Sequence, residues 1–332
     1  IRLAGMAEGS TAPNPMVGAV VVHDGVIIGE GYHLKAGTPH AEVHAINAVT
    51  ARSLLPSSTM YVSLEPRSHH GRTPPCADLI INSGIRRVVV GVTDPNPLVA
   101  GKGIARMREA RIDVVTGVAE DECRSLNRRF FTWHEKKRPY VILKWARSAD
   151  GFIDLHRNPG DTPEPNWITG MSERVLVHRW RATEDAILAG GGTVRTDNPS
   201  LTVRYWSGKN PVRVIISRSA DMDHRSSAFN SQAETILFTC NKEADFPGVK
   251  VIRLSGEDRF LEEVLPVLHE MGIQSLFVEG GAFGAGVARS EVPETGAGVV
   301  DRLVPVRVGA ATHTRQQRQR HGQAAANEDA WS

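Results

Sequence analysis

Short apolar runs alternate with helix-forming segments along most of this 332-residue chain, and this alternation limits its possible folds more than any other feature. In the first half, residues 19–22 and 26–32 flank Asp24-Gly25, a dipeptide typical of a two-residue hairpin turn. Further strands are predicted at residues 60–63 and 87–92, and helices at residues 40–49, 75–83, 104–110 and 120–131. Elements in this order favour a mostly parallel sheet covered by helices.

The pattern starts again after residues 134–138, a charged stretch (His-Glu-Lys-Lys-Arg) that we interpret as a linker; the alternative is a solvated helix end. Ser172 is expected to be the N-cap of a helix at residues 172–183. Strands are predicted at residues 140–146, 186–189, 212–217, 235–240, 249–254 and 275–279, and a helix at residues 260–271. Because this order differs from the first half, we expect two different domains, residues 1–137 and 138–310.

Residues 311–332 form a tail rich in glutamine and arginine, and its low hydrophobicity predicts disorder. A nucleic-acid-binding arm is the alternative for this tail. The whole chain argues against it, because Lys+Arg 39 against Asp+Glu 37 gives a net charge of +2. A protein that binds a polyanion through many phosphate contacts carries a larger positive excess. The charge therefore predicts no nucleic-acid partner, while one phosphate on a small substrate remains compatible with it.

The three cysteines, Cys76, Cys123 and Cys240, are too few for a disulfide framework. Sparse cysteines suit a reducing compartment, so we expect a cytoplasmic protein. No apolar run approaches the roughly 18 residues of a membrane-spanning helix, so no membrane partner is expected. The oligomeric state is left open, a homo-oligomer included.

Two short motifs indicate a metal-dependent deaminase. His40-Ala41-Glu42 lies at the start of one predicted helix, and Pro74-Pro75-Cys76 opens another. Zinc deaminases combine an H-x-E segment with cysteines that follow a proline, and their glutamate transfers protons without binding the metal. Three protein ligands leave the fourth zinc position for water, whose pKa falls toward roughly 7. Glu42, two residues from His40, is the candidate for proton transfer.

Longer segments resemble the bifunctional deaminase/reductase family of riboflavin biosynthesis. They are residues 11–21 (TAPNPMVGAVV), 31–33 (GYH), 40–45 (HAEVHA) and 63–76 (SLEPRSHHGRTPPC), and the resemblance extends over about residues 6–281. The resemblance implies a cytidine-deaminase-like domain followed by a dihydrofolate-reductase-like domain. It also implies a small phosphorylated pyrimidine as substrate, with Zn²⁺ and NADPH as cofactors.

The chain departs from this family at one metal position. The resemblance makes His40 and Cys76 zinc ligands and Glu42 the catalytic acid/base, but Arg67 stands where the family has the third ligand, a cysteine. Two unit charges 4 Å apart at an effective dielectric constant near 20 repel by about 4 kcal/mol, and a dication roughly doubles that value. We therefore expect Arg67 either to turn outward or to occupy the metal position and pair with Glu42, with deamination absent or weak.

Other residues of the first domain acquire expected roles through the resemblance. It places Asn14 and His33 near the pyrimidine, although a buried histidine is as often a packed polar residue. His69 or His70 is the alternative third metal ligand. Arg72 is expected either to meet the substrate phosphate or to be a solvated loop charge.

The second domain carries the motifs of the reductase. The resemblance implies that substrate is bound by Lys144, Arg181, Leu201, Arg204 and Glu279, and NADPH by Ala146, Trp167, Thr193, Asp197, Ser217, Gly280 and Gly281. A glycine run at residues 190–192 lets the backbone approach phosphates closely. It is not a G-x-G-x-x-G fingerprint, so a standard Rossmann domain is disfavoured. The implied reaction transfers hydride to the open-chain ribose carbon.

Three interpretations follow. The leading one is a bifunctional enzyme with an intact reductase motif set and a damaged deaminase motif set. The first alternative is a reductase whose deaminase-like domain is inactive, and the second is a non-catalytic protein that binds a nucleotide. Oxidation of NADPH separates an enzyme from a binding protein, and release of ammonia separates the two enzymes.

Overall fold

The computed structural model describes residues 1–68, 75–147, 168–255, 260–279 and 301–307. The chain divides into two units, Ile1–Pro139 and Tyr140–Ser332. Several residues given roles above lie outside the described residues: His69, His70, Arg72, Trp167, Gly280, Gly281 and the tail at 311–332. None of the described helices has the combination of length and apolar character that crossing a bilayer requires.

A five-stranded mixed sheet forms the centre of the first unit. Its strands are β1 (Gly18–His23), β2 (Val26–Tyr32), β3 (Thr59–Leu64), β4 (Arg87–Val92) and β5 (Asp113–Thr116), in the order β2-β1-β3-β4-β5. The pairs β1–β2 and β1–β3 are antiparallel, and β3, β4 and β5 are parallel. The predicted hairpin is confirmed, since Asp24 and Gly25 have φ of 45° and 78°, as a type I′ turn requires. The four-residue β5 was not predicted.

Among the described residues of this unit, the helices that flank the sheet are α1 (Arg2–Gly5), α2 (Ala41–Ala48), α3 (Cys76–Asn82), α4 (Lys102–Glu109), α5 (Glu120–Leu126) and α6 (Arg128–Lys136). A 3₁₀ helix covers Arg52–Ser57. The helix predicted at residues 120–131 is two helices that meet at Asn127, whose side chain pairs with the backbone N–H and C=O of Met16. The linker interpretation of residues 134–138 is wrong for its first part, because α6 continues to Lys136 and ends where Lys137 turns left-handed, with φ of 55°.

Close packing of β2 against α2 fixes the position of the candidate metal site. A Cβ atom added to Gly31 would overlap the His44 side chain and the backbone N of Ala45. Only glycine therefore allows this approach. Beneath α2 and α3 lies a buried apolar core that includes Ile46, Met60 and Ile80. The amino-terminal ends of both helices are thus held at one edge of the sheet.

A seven-stranded sheet forms the centre of the second unit. Its strands are β6 (Tyr140–Arg147), β7 (Ala186–Gly190), β8 (Val212–Ile216), β9 (Thr235–Thr239), β10 (Lys250–Arg253), β11 (Ser275–Glu279) and β12 (Arg302–Arg307). The order is β10-β9-β8-β7-β11-β6-β12, and all of these pairings are parallel. Because β11 inserts between β7 and β6, the carboxyl ends of these three strands meet at one edge. In open α/β sheets, ligands bind at such an edge.

The helices of the second unit are α7 (Met171–Thr183), α8 (Gly191–Asp197) and α9 (Phe260–Glu270), with a 3₁₀ helix at Ser227–Phe229. The N-cap prediction for α7 is wrong: the helix begins one residue earlier, and Gly170 is its N-cap. The sequence analysis also did not predict that a helix begins within the glycine run at residues 190–192. Gly190 ends β7, and α8 begins at Gly191.

Candidate functional site

The first cluster of functional side chains lies at the amino-terminal ends of α2 and α3. His40 is the N-cap residue of α2, and Cys76 is the first residue of α3. His40 Nδ1 lies 3.1 Å from Cys76 Sγ. With Glu42, from the first turn of α2, they contribute three potential ligand atoms within 4.8 Å of one another. The two motifs of the sequence thus converge in space.

Arg67 lies at the same cluster. Its backbone C=O accepts a hydrogen bond from Ala77 N–H at 3.1 Å, which ties the segment after β3 to α3. Its guanidinium Nη1 is 3.5 Å from His40 Nε2. The outward placement expected for this side chain is therefore wrong. Within the described part of the chain no ion pair joins it to Glu42, whose buried Oε2 accepts no hydrogen bond there.

Burial and the neighbouring cation shift the titration of this cluster. Burial, followed by the charge of Arg67 and by His33, lowers the pKa of His40 to about 4. Burial raises the pKa of Glu42, and Arg67 opposes that shift. Burial also raises the pKa of the Cys76 thiol, and the Glu42 carboxyl adds to the rise. In the absence of a metal ion, each of these shifts acts toward the uncharged form of its group.

Asn14 and His33 adjoin the cluster. Asn14 Nδ2 donates to His33 Nε2 at 3.2 Å, and His33 Nδ1 donates to the C=O of Pro39 at 3.2 Å. The His33 and His40 rings lie 5.2 Å apart between centroids, edge to face. Burial lowers the pKa of His33. The structure thus brings Asn14, His33 and His40 together, while the placement of Asn14 and His33 near a pyrimidine stays a prediction.

Glu65 supports this cluster, although the sequence analysis assigned it no role. Its Oε2 accepts N–H groups of Asp94 at 3.2 Å and Gly101 at 2.9 Å, and its Oε1 accepts those of Gly103 at 2.9 Å and Ile104 at 3.3 Å. The carboxylate therefore anchors the loop that leads into α4 against the segment that carries position 67. Its partners are backbone N–H groups 29 to 39 residues further along the chain, so no local sequence pattern could have identified it.

A second cluster lies at the carboxyl-terminal edge of the sheet in the second unit. Arg181, on α7, donates from Nε to Glu279 Oε1 at 2.7 Å and from Nη2 to Glu279 Oε2 at 2.8 Å. Its Nη1 donates to the C=O of Thr202 at 3.1 Å. Glu279 ends β11 and is directly opposite Lys144 of β6. Three of the five predicted substrate residues are thus neighbours.

The ion pair keeps both of its members charged. Burial acts to raise the pKa of Glu279, but the charge and hydrogen bonds of Arg181 outweigh it and lower that pKa, with help from Lys144. Burial likewise acts to lower the pKa of Arg181, but Glu279 raises it. Both side chains are about nine-tenths buried, at 10% and 11% exposure. A bidentate arginine–carboxylate pair of this kind holds each group in one orientation.

The other two predicted substrate residues lie in the loop after α8. Leu201 is buried in a left-handed conformation, with φ of 52°. Arg204 is exposed, and its Nη1 lies 3.4 Å from Thr202 Oγ1. Arg181 donates both to Glu279 and to the C=O of Thr202, so this one arginine connects the ion pair to the loop.

Predicted cofactor residues surround the end of β7. Gly190 is directly opposite Ile216 of β8, so Ser217 and the start of α8 lie side by side. A Cβ atom on Gly191 would come within 2.7 Å of the Ser217 side chain. Thr193 lies in the first turn of α8 and Asp197 is its last residue. Ala146, near the end of β6, is half-buried.

Comparisons with known proteins match both units. A family model described as the RibD C-terminal domain matches residues 139–319, and one described as the cytidine and deoxycytidylate deaminase zinc-binding region matches residues 1–92. The riboflavin biosynthesis protein RibD of Aquifex aeolicus is 44% identical over 288 residues, which is 85% of this chain and 78% of the relative. RibD of Escherichia coli is 36% identical over 322 residues, 92% of this chain and 84% of the relative.

Comparison with solved structures finds the same family of proteins. A diaminohydroxyphosphoribosylaminopyrimidine deaminase/5-amino-6-(5-phosphoribosylamino)uracil reductase from Thermotoga maritima is 44% identical, with a TM-score of 0.75 over 85% of this chain and 79% of that one. RibD of Acinetobacter baumannii is 32% identical, with a TM-score of 0.76 over 95% and 90%.

Fold and sites together define a two-domain enzyme in which a cytidine-deaminase-like domain precedes a dihydrofolate-reductase-like domain. The chain belongs to the RibD family of riboflavin-biosynthesis proteins, which combines a pyrimidine deaminase and a reductase in one polypeptide. The family resemblance and the fold class drawn from the sequence are confirmed. The role of each site residue stays a prediction.

Proposed function

We propose that the second unit reduces the ribosyl group of 5-amino-6-(5-phosphoribosylamino)uracil to a ribityl group with NADPH. The observation that carries this proposal is the convergence of Lys144, Arg181 and Glu279 where the carboxyl ends of three parallel strands meet. NADPH supplies the hydride to the open-chain ribose carbon. The chain itself binds and orients the substrate.

Each residue of this cluster has a distinct task in the proposal. Arg204 and Lys144 supply positive charge for the single phosphate and for the polarised sugar carbonyl. Arg181 holds Glu279 through both carboxylate oxygens, so the glutamate stays ionised and faces the sugar hydroxyls in one orientation. Leu201 contributes an apolar wall to the pocket. Solvent supplies the proton that completes the reduction.

The residues at the end of β7 fit a dinucleotide. Because Gly191 has no side chain, the start of α8 packs directly beside Ser217. Gly192 is the exposed residue of the run 190–192, and the lack of a side chain there lets phosphate oxygens approach the backbone closely. We assign Ala146, Thr193, Asp197 and Ser217 to NADPH, and by family resemblance also Trp167, Gly280 and Gly281.

The experiment measures oxidation of NADPH at 340 nm by the full chain, with the deaminated uracil substrate. We expect turnover that requires the substrate and falls strongly in Gly191→Ile, because the added side chain must displace Ser217. Gly248→Ile is the control, since a Cβ atom there meets nothing within 4 Å; its φ of 74° strains the backbone at that position only, so a loss of turnover confined to Gly191→Ile does not come from general destabilisation. Binding of NADPH without turnover would instead favour the non-catalytic interpretation.

We further infer that the deaminase-like domain does not hold a catalytic zinc ion. A catalytic site needs three protein ligands and an open position. His40 and Cys76 supply two, while Arg67 places a cation 3.5 Å from His40 Nε2. Glu42 could complete a set of three, but no carboxylate of that set would then remain to transfer the proton. The described residues of this cluster therefore do not fit a catalytic zinc ion.

Two measurements test this inference. Elemental analysis of the purified chain should find zinc far below one equivalent, and incubation with the diamino-pyrimidine substrate should release no ammonia. Near-stoichiometric zinc together with ammonia release would overturn the inference and restore the bifunctional interpretation. Zinc without ammonia release would show that a third ligand, Glu42 or one of His69 and His70, completes an inactive metal site.

The net charge and the cysteines support proposals for the ligand class and the cellular compartment. We propose a small phosphorylated pyrimidine as the partner and no nucleic acid, because the net charge is +2. We propose the cytoplasm, because Cys76, Cys123 and Cys240 are all free thiols, which suits a reducing compartment. A homo-oligomer stays a prediction, which size-exclusion chromatography with light scattering decides.

A further inference from the structure

His178 contacts the substrate loop from a buried position on α7. The side chain is 4% exposed and lies three residues before Arg181, so both side chains share one face of the helix. His178 Nδ1 accepts the backbone N–H of Arg204 at 2.9 Å. Its ring also packs edge to face against Tyr205, with centroids 4.8 Å apart. The ring therefore touches two consecutive residues of the loop.

This contact determines the protonation of the ring. An N–H donor can approach Nδ1 only when that nitrogen carries a lone pair, so the imidazole is neutral with its proton on Nε2. Burial and the nearby charges of Arg181 and Arg204 act in the same sense and lower the pKa of His178 to about 4, against an opposing effect of Glu279. The neutral acceptor is therefore the stable form at physiological pH.

The loop is held at three consecutive residues. Arg181 donates to the C=O of Thr202, Asn210 Oδ1 accepts the N–H of Val203 at 2.8 Å, and His178 accepts the N–H of Arg204. Of these three anchors, only His178 holds the residue whose cation we assign to the phosphate. The exposed side chain of Arg204 has many rotamers, so the position of its backbone determines where its guanidinium can reach.

We propose that His178 is a positioning residue of the reductase, whose unprotonated Nδ1 fixes the backbone of Arg204 and thereby the site of the substrate phosphate. The proposal rests on the reductase function proposed above. It requires that the contact act mainly on binding of the phosphorylated end of the substrate. Hydride transfer and NADPH binding, which use the end of β7, should depend on it little.

The test compares two variants of the full chain. His178→Phe keeps an aromatic ring against Tyr205 but removes the acceptor, and His178→Asn restores an acceptor oxygen close to the position of Nδ1. We expect His178→Phe to raise KM for the phosphorylated substrate about tenfold, with kcat and the Kd for NADPH changed less than about twofold. His178→Asn should recover most of the loss. His224→Phe, at an exposed histidine of the same unit, is the matched control and should change nothing.

A second substrate makes the test specific for the phosphate. With the dephosphorylated substrate, His178→Phe and the unchanged chain should have the same KM. An equal loss on both substrates, or no rescue by His178→Asn, would overturn the positioning role. If His178→Phe fails to fold, the same test is made with His178→Asn and His178→Gln, whose KM values are compared on the phosphorylated and the dephosphorylated substrate. Failure of the unchanged chain to reduce the substrate would reject the proposed function itself, whereas an active chain with an unchanged KM in His178→Phe rejects only this inference.

Discussion

An arginine occupies the centre of each candidate site, and the two arginines have different surroundings. Arg181 meets the carboxylate of Glu279 through two hydrogen bonds of 2.7 and 2.8 Å. Arg67 lies 3.5 Å from the imidazole of His40, and in the described part of the chain Glu42 Oε2 accepts no hydrogen bond. The pKa shifts follow this difference: Arg181 lowers the pKa of its partner, whereas burial keeps that of Glu42 raised.

The difference shows what a buried guanidinium requires. In the second unit, a complementary carboxylate and a loop carbonyl surround the cation, so its charge helps to order the pocket. In the first unit, the surrounding groups are those of a metal site. A thiol, an imidazole and a carboxyl group suit a divalent ion, and a fixed cation among them opposes its binding. We therefore propose that the same residue type completes one site and disables the other.

Arg67→Cys should give the largest effect, because it removes the cation and adds the missing ligand. A structural zinc site is worth about 10–16 kcal/mol, so one of its ligands accounts for about 3–4 kcal/mol. Relief of the repulsion between Arg67 and the dication adds about 8 kcal/mol, twice the value for two unit charges, and the two together correspond to roughly 10⁸-fold tighter zinc binding. Competition with a chelating dye measures this affinity. Arg67→Ala, which removes only the cation, should recover only part of the gain; equal zinc binding in both variants would contradict the reasoning.

Arg181→Ala should have the next largest effect, on stability. It leaves the Glu279 carboxylate buried without its partner, which typically costs about 3–5 kcal/mol. Urea denaturation followed by circular dichroism measures the loss of unfolding free energy, and NADPH oxidation should fall in the same variant. Arg225→Ala, in the exposed pair with Asp223, is the control and should leave the urea midpoint unchanged. A midpoint unchanged in Arg181→Ala would show that the ion pair contributes nothing to the fold.

Glu65→Gln should destabilise the first unit by a smaller amount. One carboxylate oxygen becomes an amide nitrogen, so two of the four backbone N–H groups lose their acceptor and the other two lose a charged one. The expected loss is about 2–3 kcal/mol, measured by urea denaturation. Glu109→Gln, at an exposed position of α4, is the matched control. Equal midpoints in the two variants would mean that the loop does not depend on the charge of Glu65.

The sequence predicted the elements that have strong local signals. Asp24-Gly25 identified the hairpin because its left-handed turn is encoded by two residues. The strands β4 and β11 were predicted at their observed bounds because each has a continuous apolar centre, residues 88–90 and 276–278. The break at Asn127 could not be predicted, since its cause is a hydrogen bond to Met16, 111 residues away. The helix at Gly191 was missed because glycine has a low helix propensity, which tertiary context overrode.

The residues of the candidate sites show the same contrast between those that a local motif identifies and those whose position depends on distant contacts. Motif spacing indicated His40, Glu42 and Cys76, and the structure places these three together. The orientation of Arg67 depended on packing that no local pattern reveals. Of its two expected placements, the outward turn was wrong, and in the other the side chain approaches His40 rather than forming the expected pair with Glu42. Glu65 and His178 were missed because their partners are backbone N–H groups, which leave no signature in the sequence.

The pH dependence of stability should show the smallest effect. Burial, with Arg181 and Arg204, lowers the pKa of His178 from 6.5 to about 4, so between these values the unfolded chain binds a proton that the folded chain does not. Stability is therefore complete above pH 6.5 and is lost as the pH falls, by about 1 kcal/mol between pH 6.5 and 5.5 for this one group. His40 contributes in the same direction, so the comparison must isolate His178. Urea midpoints across this range should fall less steeply in His178→Phe than in the unchanged chain, and parallel slopes would show that His178 titrates alike in both states.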